Sequence, residues 1–372
     1  MMNILGVHLT LMLGQRVSTL ASPFIVENLR SVEVTQQDQG PSGFQMTFHI
    51  GRSSVIDLLD YRLLTNDLLK PFSRVMLLVR FAITPVVLMD GIITNQQFSP
   101  GNEPGASTLT LTGEDVSVLM DLEQVQKEYV QTADDKIVDA ALQKYMGDIL
   151  GLPPRITQPA NSQPPSQNDR VPQQANMTDR AFIQMLAQRN GHVFYLEPGP
   201  IPGTNVAYWG PPIRGGAMQP ALSVNMGPDT NVDSINFTYN ALAPFKISFI
   251  EAGGGDPIVS PSEGREKLVK NQAELRRTVM FGEKEPNARA HAQGQVDRSL
   301  DDVVTASGEL DALRYNGLLK PRALVGLRGA GRSYDGSYYV KSVTTRLTKG
   351  QCKQSFTLTR EGTGALQSTV KT

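Results

Sequence analysis

The chain keeps returning to a period of two. Residues 43–50, GFQMTFHI, put Phe44, Met46, Phe48 and Ile50 on one side and polar groups on the other. Only extended backbone turns successive side chains to opposite faces, so such runs read as half-buried strands. The pattern recurs. Val32 and Val34 alternate with Glu33 and Thr35, and Val75, Leu77, Val79 and Phe81 follow. Leu109 and Leu111 do the same within 107–112. Pro85 to Met89, then Asp90-Gly91 and Ile92-Ile93, reads as a hairpin turning at Asp-Gly. Further strands are expected at 234–239, 246–251 and 323–327. Tyr339, Val343 and Leu347 mark one face of a strand ending at Lys349-Gly350, and Cys352, Phe356 and Leu358 form its partner. Many short strands at this density predict a mainly β, α+β chain built on barrels or sandwiches.

Helical signals are fewer. Thr178 can cap a helix that buries Phe182, Met185 and Leu186, with Gly191 as its left-handed stop. Strands 192–197 and 205–209 then pair across a Pro/Gly turn. Thr132 with Asp135 resembles a capping box ahead of the stripe Val138, Leu142, Tyr145 and Ile149, closed by Gly151. Residues 115–129 offer a second helix with weaker periodicity, 264–277 a polar one presenting Leu268 and Leu275, and 297–313 a partly helical stretch. Residues 152–177, rich in Pro, Gln, Asn and Ser, read as a surface linker or extended arm. The glycines at 253–255 suggest a flexible joint, and the tail from Gly362 is expected to fray.

With 35 Lys+Arg against 36 Asp+Glu, no basic face strong enough to grip nucleic acid is expected. One cysteine, Cys352, excludes an internal disulfide framework and favours synthesis in a reducing compartment. The apolar run Ile4 to Leu13 is too short to span a bilayer and has no positive charge before it, so it reads as a buried or docking segment.

Catalytic chemistry is not supported, and no catalytic, cofactor-binding or metal-binding residue is assigned. The carboxylates Asp134, Asp135 and Asp139 are acid/base candidates, yet two of them lie where a helix N-terminus favours negative charge anyway. Gly326 to Gly331 imitates a phosphate loop, but the third glycine is missing and Asp335-Gly336 signals another turn. His8, His49, His192 and His291 are scattered singly, with His49 on the polar side of its strand.

Four segments, in order, resemble the hub proteins of contractile injection machines. That family comprises phage late control D proteins, phage baseplate hubs and the hub half of type VI secretion spike proteins. The segments are LRSVEVTQQDQGPSGFQMTFHI, VLMDGIITNQQFSPGNEPGASTLTLTGEDVSVLMD, the capped helix with its strand pair at 178–209, and RGAGRSYDGSYYVKSVTTRLTKGQCKQSFTLTREG. The STLTLTGED form looks most like hubs of extracellular injection systems. Thr345 stands where the closing pattern often has histidine.

The resemblance implies two tube-like β-barrel domains with intervening helical and small α+β subdomains. It implies a docking segment at 1–19, a first barrel at 20–115, a helical subdomain at 116–151 and the linker at 152–177. A helix-plus-hairpin subdomain at 178–233 would follow, then a second barrel at 234–361 with a polar insertion at 255–300, and a tail at 362–372. It further implies a homotrimer joining a separate spike chain to the inner tube and touching baseplate wedge proteins. Neither nucleic acid nor stable membrane insertion is implied. Such a protein would be made in a bacterial cytoplasm and built into a phage-tail-like particle. The alternatives are an enzyme degrading cell wall or polysaccharide, which needs two carboxylates facing a cleft, and a carbohydrate-binding module, for which Trp209, the only tryptophan, is poor material.

Overall fold

The computed structural model describes residues 2–4, 7–15, 18–51, 61–81, 84–102, 106–159, 164–165, 167, 170–174, 176–249, 258–260, 276–279 and 288–363. The chain is mainly β, an α+β architecture on one large, almost wholly antiparallel sheet.

Six strands make the first unit, in the order Val7–Gly14, Arg74–Phe81, Thr84–Ser99, Ser107–Asp115, Gly43–Ile50, Leu29–Gln37. Val7 and Leu9 at one end share a core with Val32 and Val34 at the other, so the strands must wrap around it. The short helix Pro23–Asn28 links the two end strands and adds Ile25 to the core. A second set runs Met218–Ser223, Leu324–Arg328, Gly336–Thr348, Gln351–Arg360, Val304–Asp311, Val232–Tyr239 around its own core. Asn231 zips its two ends together: its N–H donates to the Ser223 carbonyl at 3.1 Å and its Oδ1 accepts from the Ser223 N–H at 2.8 Å.

One hairpin serves both units. The start of Gly336–Thr348 pairs with Leu324–Arg328, while Ser342 to Thr348 pairs with Leu29–Gln37 of the first unit. A bulge between Val340 and Ser342 separates these halves. The bulge turns Tyr339 to the other face, where it packs beside Arg214, whereas Val343 and Leu347 share a face as expected but reach different cores, Val343 the second and Leu347 the first. The partner strand is split likewise, with Cys352 in the first core and Phe356 and Leu358 in the second.

A third core gathers the helices Asp134–Leu142 and Asp179–Arg189 with the antiparallel pair Val193–Pro198 and Asn205–Gly210. Thr178 caps the second helix by accepting from the Ala181 N–H, and Gly191, at φ 67, ends it as expected.

Several expectations are corrected. Asp90-Gly91 is no turn: Thr84–Ser99 runs straight through it, because Asp90 is buried against Arg74. Of the two readings of the apolar run, buried or docking, the described part is the buried one: Val7–Gly14 is a sheet strand with Val7, Leu9, Leu11 and Leu13 facing inward. Met218–Ser223, placed with the helix–hairpin subdomain, joins the second unit by parallel pairing with Leu324–Arg328. No capping box forms at Thr132; Ala133 occupies the cap, and the helix ends at Leu142 in a 3-10 turn rather than at Gly151. Residues 115–129 hold a 3-10 turn capped by Asp115 and then the strand Lys127–Val130. The linker is pinned within 152–177: Arg155–Ile156 pairs with Tyr208 and Trp209, and Arg170–Gln173 with Lys127–Val130. The stretch 297–313 is partly helical as expected, at its ends in Ala288–Ser299 and Ala312–Tyr315, but between them Val304–Asp311 is a strand whose inward positions Ala306 and Gly308 are too small to advertise their period. The expected helix at 264–277 falls outside the described residues up to 275, and 276–279 is a strand. The joint at 253–255 and the tail beyond 363 also lie outside the described residues.

Candidate functional site

The three cores meet around Arg322, which follows Pro321 at φ 63 and is only 5% exposed. Its Nε and Nη2 donate to the Gln37 carbonyl at 3.0 and 2.6 Å, and Nη2 also reaches Ser42 Oγ at 3.1 Å. Its Nη1 donates to the Leu196 carbonyl at 3.2 Å, and the guanidinium lies 3.9 Å from the Tyr195 ring centroid. One planar fork thus ties the second strand unit to the first and to the helix–hairpin layer. Ser42 is fixed in turn by Asp115, whose Oδ2 accepts from its N–H at 2.7 Å. Burial raises the Asp115 carboxyl above its ordinary range, despite hydrogen bonds from Ser42 and Ser117 that favour the charge.

Two more networks hold the layers. Arg74 grips Asp90 through Nε at 2.8 Å and Nη2 at 2.6 Å, and Asn205 donates to the same carboxylate at 2.9 Å. Asp134 takes Arg189, Asn190 Nδ2 at 2.6 Å and His291 Nε2 at 3.8 Å. Burial opposes its ionisation, but His291, Arg189 and Asn190 outweigh that and pull the carboxyl down to about 2.

The acid/base candidates do not converge: Asp134 is committed to cations, Asp135 lies 3.7 Å from Lys136, and Asp139 accepts from Gln143 at the surface. His192 and His291 flank the Asp134 network, and burial drives His192 down to about 4, edge-on to Trp209. His49 is exposed and His8 half-buried on separate strands. Of residues 326–331, the first three end the strand Leu324–Arg328, the turn after them is locked by Asp335, which accepts from the Ala330 N–H at 2.8 Å, and a strand rather than a helix follows it. Thr345 is buried and its hydroxyl accepts from Gln354 at 2.9 Å. Among the described residues no cluster of His, Cys, Asp and Glu is arranged to hold a metal, and no helix is long and apolar enough to cross a membrane.

The sheet's outer face near the bulge is coated with hydroxyls and amides. Gln37, Ser342, Thr357, Ser307 and Asn236 stand opposite one another across five strands. A cleft of about 570 Å³ opens there between the two units, lined by Asp38, Thr238, Thr305, Lys341 and Thr359 among others. Asp38 is 3% exposed and its Oδ1 has no hydrogen-bond partner among the described residues. Burial lifts its carboxyl to about 6, against the pull of Lys341, Arg298 and Arg322. Neither Asp38 nor Arg322 was marked by any motif; each is polar in a stretch that reads as turn.

No protein-family model and no curated protein matches the sequence. Solved structures do match over nearly the whole chain. A tail protein from Neisseria meningitidis is 12% identical with a TM-score of 0.64, covering 96% of this chain and 98% of its own. The 43 kDa tail protein of prophage MuSo2 from Shewanella oneidensis is 12% identical with a TM-score of 0.63, covering 95% and 99%. An Escherichia coli component of the type VI secretion system, itself similar to phage T4 tail proteins, is 12% identical with a TM-score of 0.57, covering 90% and 73%. At this identity the likeness is one of fold.

Proposed function

We propose that this chain is a structural protein of a phage-tail-like particle, and specifically the baseplate hub that joins the central spike to the inner tube. The observation that carries the reading is the pair of wrapped six-strand units fused through one hairpin. Three copies of a chain with two similar units present six such units, which lets a threefold spike meet a sixfold tube without two different subunits. The fold shared with tail proteins supports it, as do buried networks spent on fastening layers rather than on opening a polar active cleft. Light scattering on the purified chain, with and without spike and tube proteins of the same source, tests the proposal. A trimer that captures both is expected. A monomer that binds neither, or a preparation that lyses peptidoglycan, would favour the cell-wall-degrading alternative.

A further inference from the structure

We propose that Lys341 is a two-position switch at the junction of the strand units: its ammonium pairs with Asp302 while the Asp38 carboxyl is protonated, and crosses to Asp38 once that carboxyl ionises.

Lys341 stands where the shared hairpin passes from one unit to the other, in the bulge between Val340 and Ser342. Its backbone and its side chain hold different partners. The carbonyl accepts from the Asp38 N–H at 3.0 Å, at the end of the first unit's strand Leu29–Gln37. The ammonium donates to Asp302 Oδ2 at 2.6 Å, two residues ahead of the second unit's strand Val304–Asp311. Both aspartates and the lysine line the same cleft between the units, so the ammonium has open space in which to cross. A flexible four-carbon stem lets a lysine change partner over a fixed backbone.

The two aspartates differ in how they bear a charge. The Asp302 side chain is 48% exposed, so water solvates it when the lysine leaves, and a pair this exposed is weak. Asp38 is buried, and its Oδ1 has no hydrogen-bond partner among the described residues. A charge there is costly unless a cation comes to it. The other charged groups that face it are committed. Arg298 donates to the His192 carbonyl at 2.9 Å, and Arg322 to the Gln37 and Leu196 carbonyls. Asp301 pairs with Arg214 at 2.9 Å and repels a second carboxylate. Burial pushes the Tyr339 hydroxyl up, so it stays neutral. Lys341 is the cation whose partner is easily given up. Burial lifts the Asp38 carboxyl to about 6 against the pull of Lys341, Arg298 and Arg322, which places the crossing near that pH. Below it, Lys341 fastens the hairpin to the second unit. Above it, Lys341 fastens the hairpin to the first unit's turn at 38–42, already held through Gln37 and Ser42.

Double-mutant cycles on the full chain, read by urea unfolding at pH 5 and pH 8, test the exchange, because a cycle cancels whatever else titrates in between. The cycle of Lys341→Met with Asp302→Asn should show a coupling on the order of fivefold in the folding equilibrium constant at pH 5, falling below about twofold at pH 8. The cycle of Lys341→Met with Asp38→Asn should do the reverse. A Lys341–Asp302 coupling equal at both pH values, or a Lys341–Asp38 coupling absent at pH 8, overturns the proposal. Should a double variant fail to fold, carboxyl-carbon NMR reads Asp38 directly: its midpoint near 6 should rise on Lys341→Met. A midpoint indifferent to loss of the lysine, or one at the ordinary value of 3.8, overturns the switch as well.

Discussion

At the scale of single residues, Arg322 and Asp38 play opposite parts. Arg322 satisfies two carbonyls and a hydroxyl in the first strand unit and the helix–hairpin layer at once. Arg322→Lys keeps the charge but cannot reproduce a planar fork, so a loss of about 2–4 kcal/mol is expected in urea unfolding; wild-type stability would mean the staple is redundant. Asp38 is a liability. Between its ordinary value of 3.8 and about 6, the folded chain holds a proton that the unfolded chain has released, so acidification through that window stabilises. His192 does the reverse: depressed from 6.5 to about 4, it stays neutral when the unfolded chain has become charged, so the same acidification destabilises. Each shift is worth on the order of 3 kcal/mol at most, and the two nearly cancel. The wild-type melting temperature should therefore be nearly flat between pH 6.5 and 4 from these two groups, while Asp38→Asn should be the more stable protein at pH 8 and lose stability steadily on acidification. Parallel pH curves for the two proteins would refute this.

Among elements, the helix Asp179–Arg189 and its strand pair show what the sequence made legible. Cap, apolar stripe and left-handed stop are local signals, and each appears where the residues place it. Ile183 flanks the stripe, so the period does not mark it, yet it is as buried as Phe182. Phe182→Ala and Leu186→Ala should each cost about 2–5 kcal/mol by leaving a cavity. Tyr195→Phe should be near neutral, because its hydroxyl has no partner among the described residues, whereas Tyr195→Ala removes the ring stacked on Tyr208 and beneath Arg322. Equal melting of the Phe and Ala variants would count against that assignment. Asp90-Gly91 misleads for the opposite reason. The dipeptide has turn chemistry, but a distant arginine and asparagine occupy the carboxylate, and only tertiary structure reveals them. Glycine is needed there for closeness: a Cβ on Gly91 would lie 2.4 Å from the Glu114 carbonyl oxygen, and one on Gly113 2.1 Å from that of Ile92. Gly113→Ala should thus destabilise by more than the ordinary surface effect of about 0.5 kcal/mol, as read by thermal melting. The junction was illegible for the same physical reason, since Arg322 and Asp38 act through residues more than a hundred positions away.

For the whole molecule, the consequence of the shared hairpin is cooperativity. Two wrapped units joined by a linker would melt separately, each with its own midpoint. Here Gly336–Thr348 and Gln351–Arg360 supply strands and side chains to both cores, with Leu347 and Cys352 in one and Val343, Phe356 and Leu358 in the other. Unfolding either unit strips the hairpin of half its partners. A truncation in the first core, Phe48→Ala, and one in the second, Leu358→Ala, should therefore shift one common transition, each by an amount expected for about 2–5 kcal/mol. Native-state hydrogen exchange should give strands Gly43–Ile50 and Val304–Asp311 the same highest opening free energy. Two calorimetric peaks, with each variant moving only its own, would show that the hairpin couples the units in space but not in energy. Coupling matters for the proposed role, because a hub that bears force between spike and tube must pass it through both units without one of them opening first.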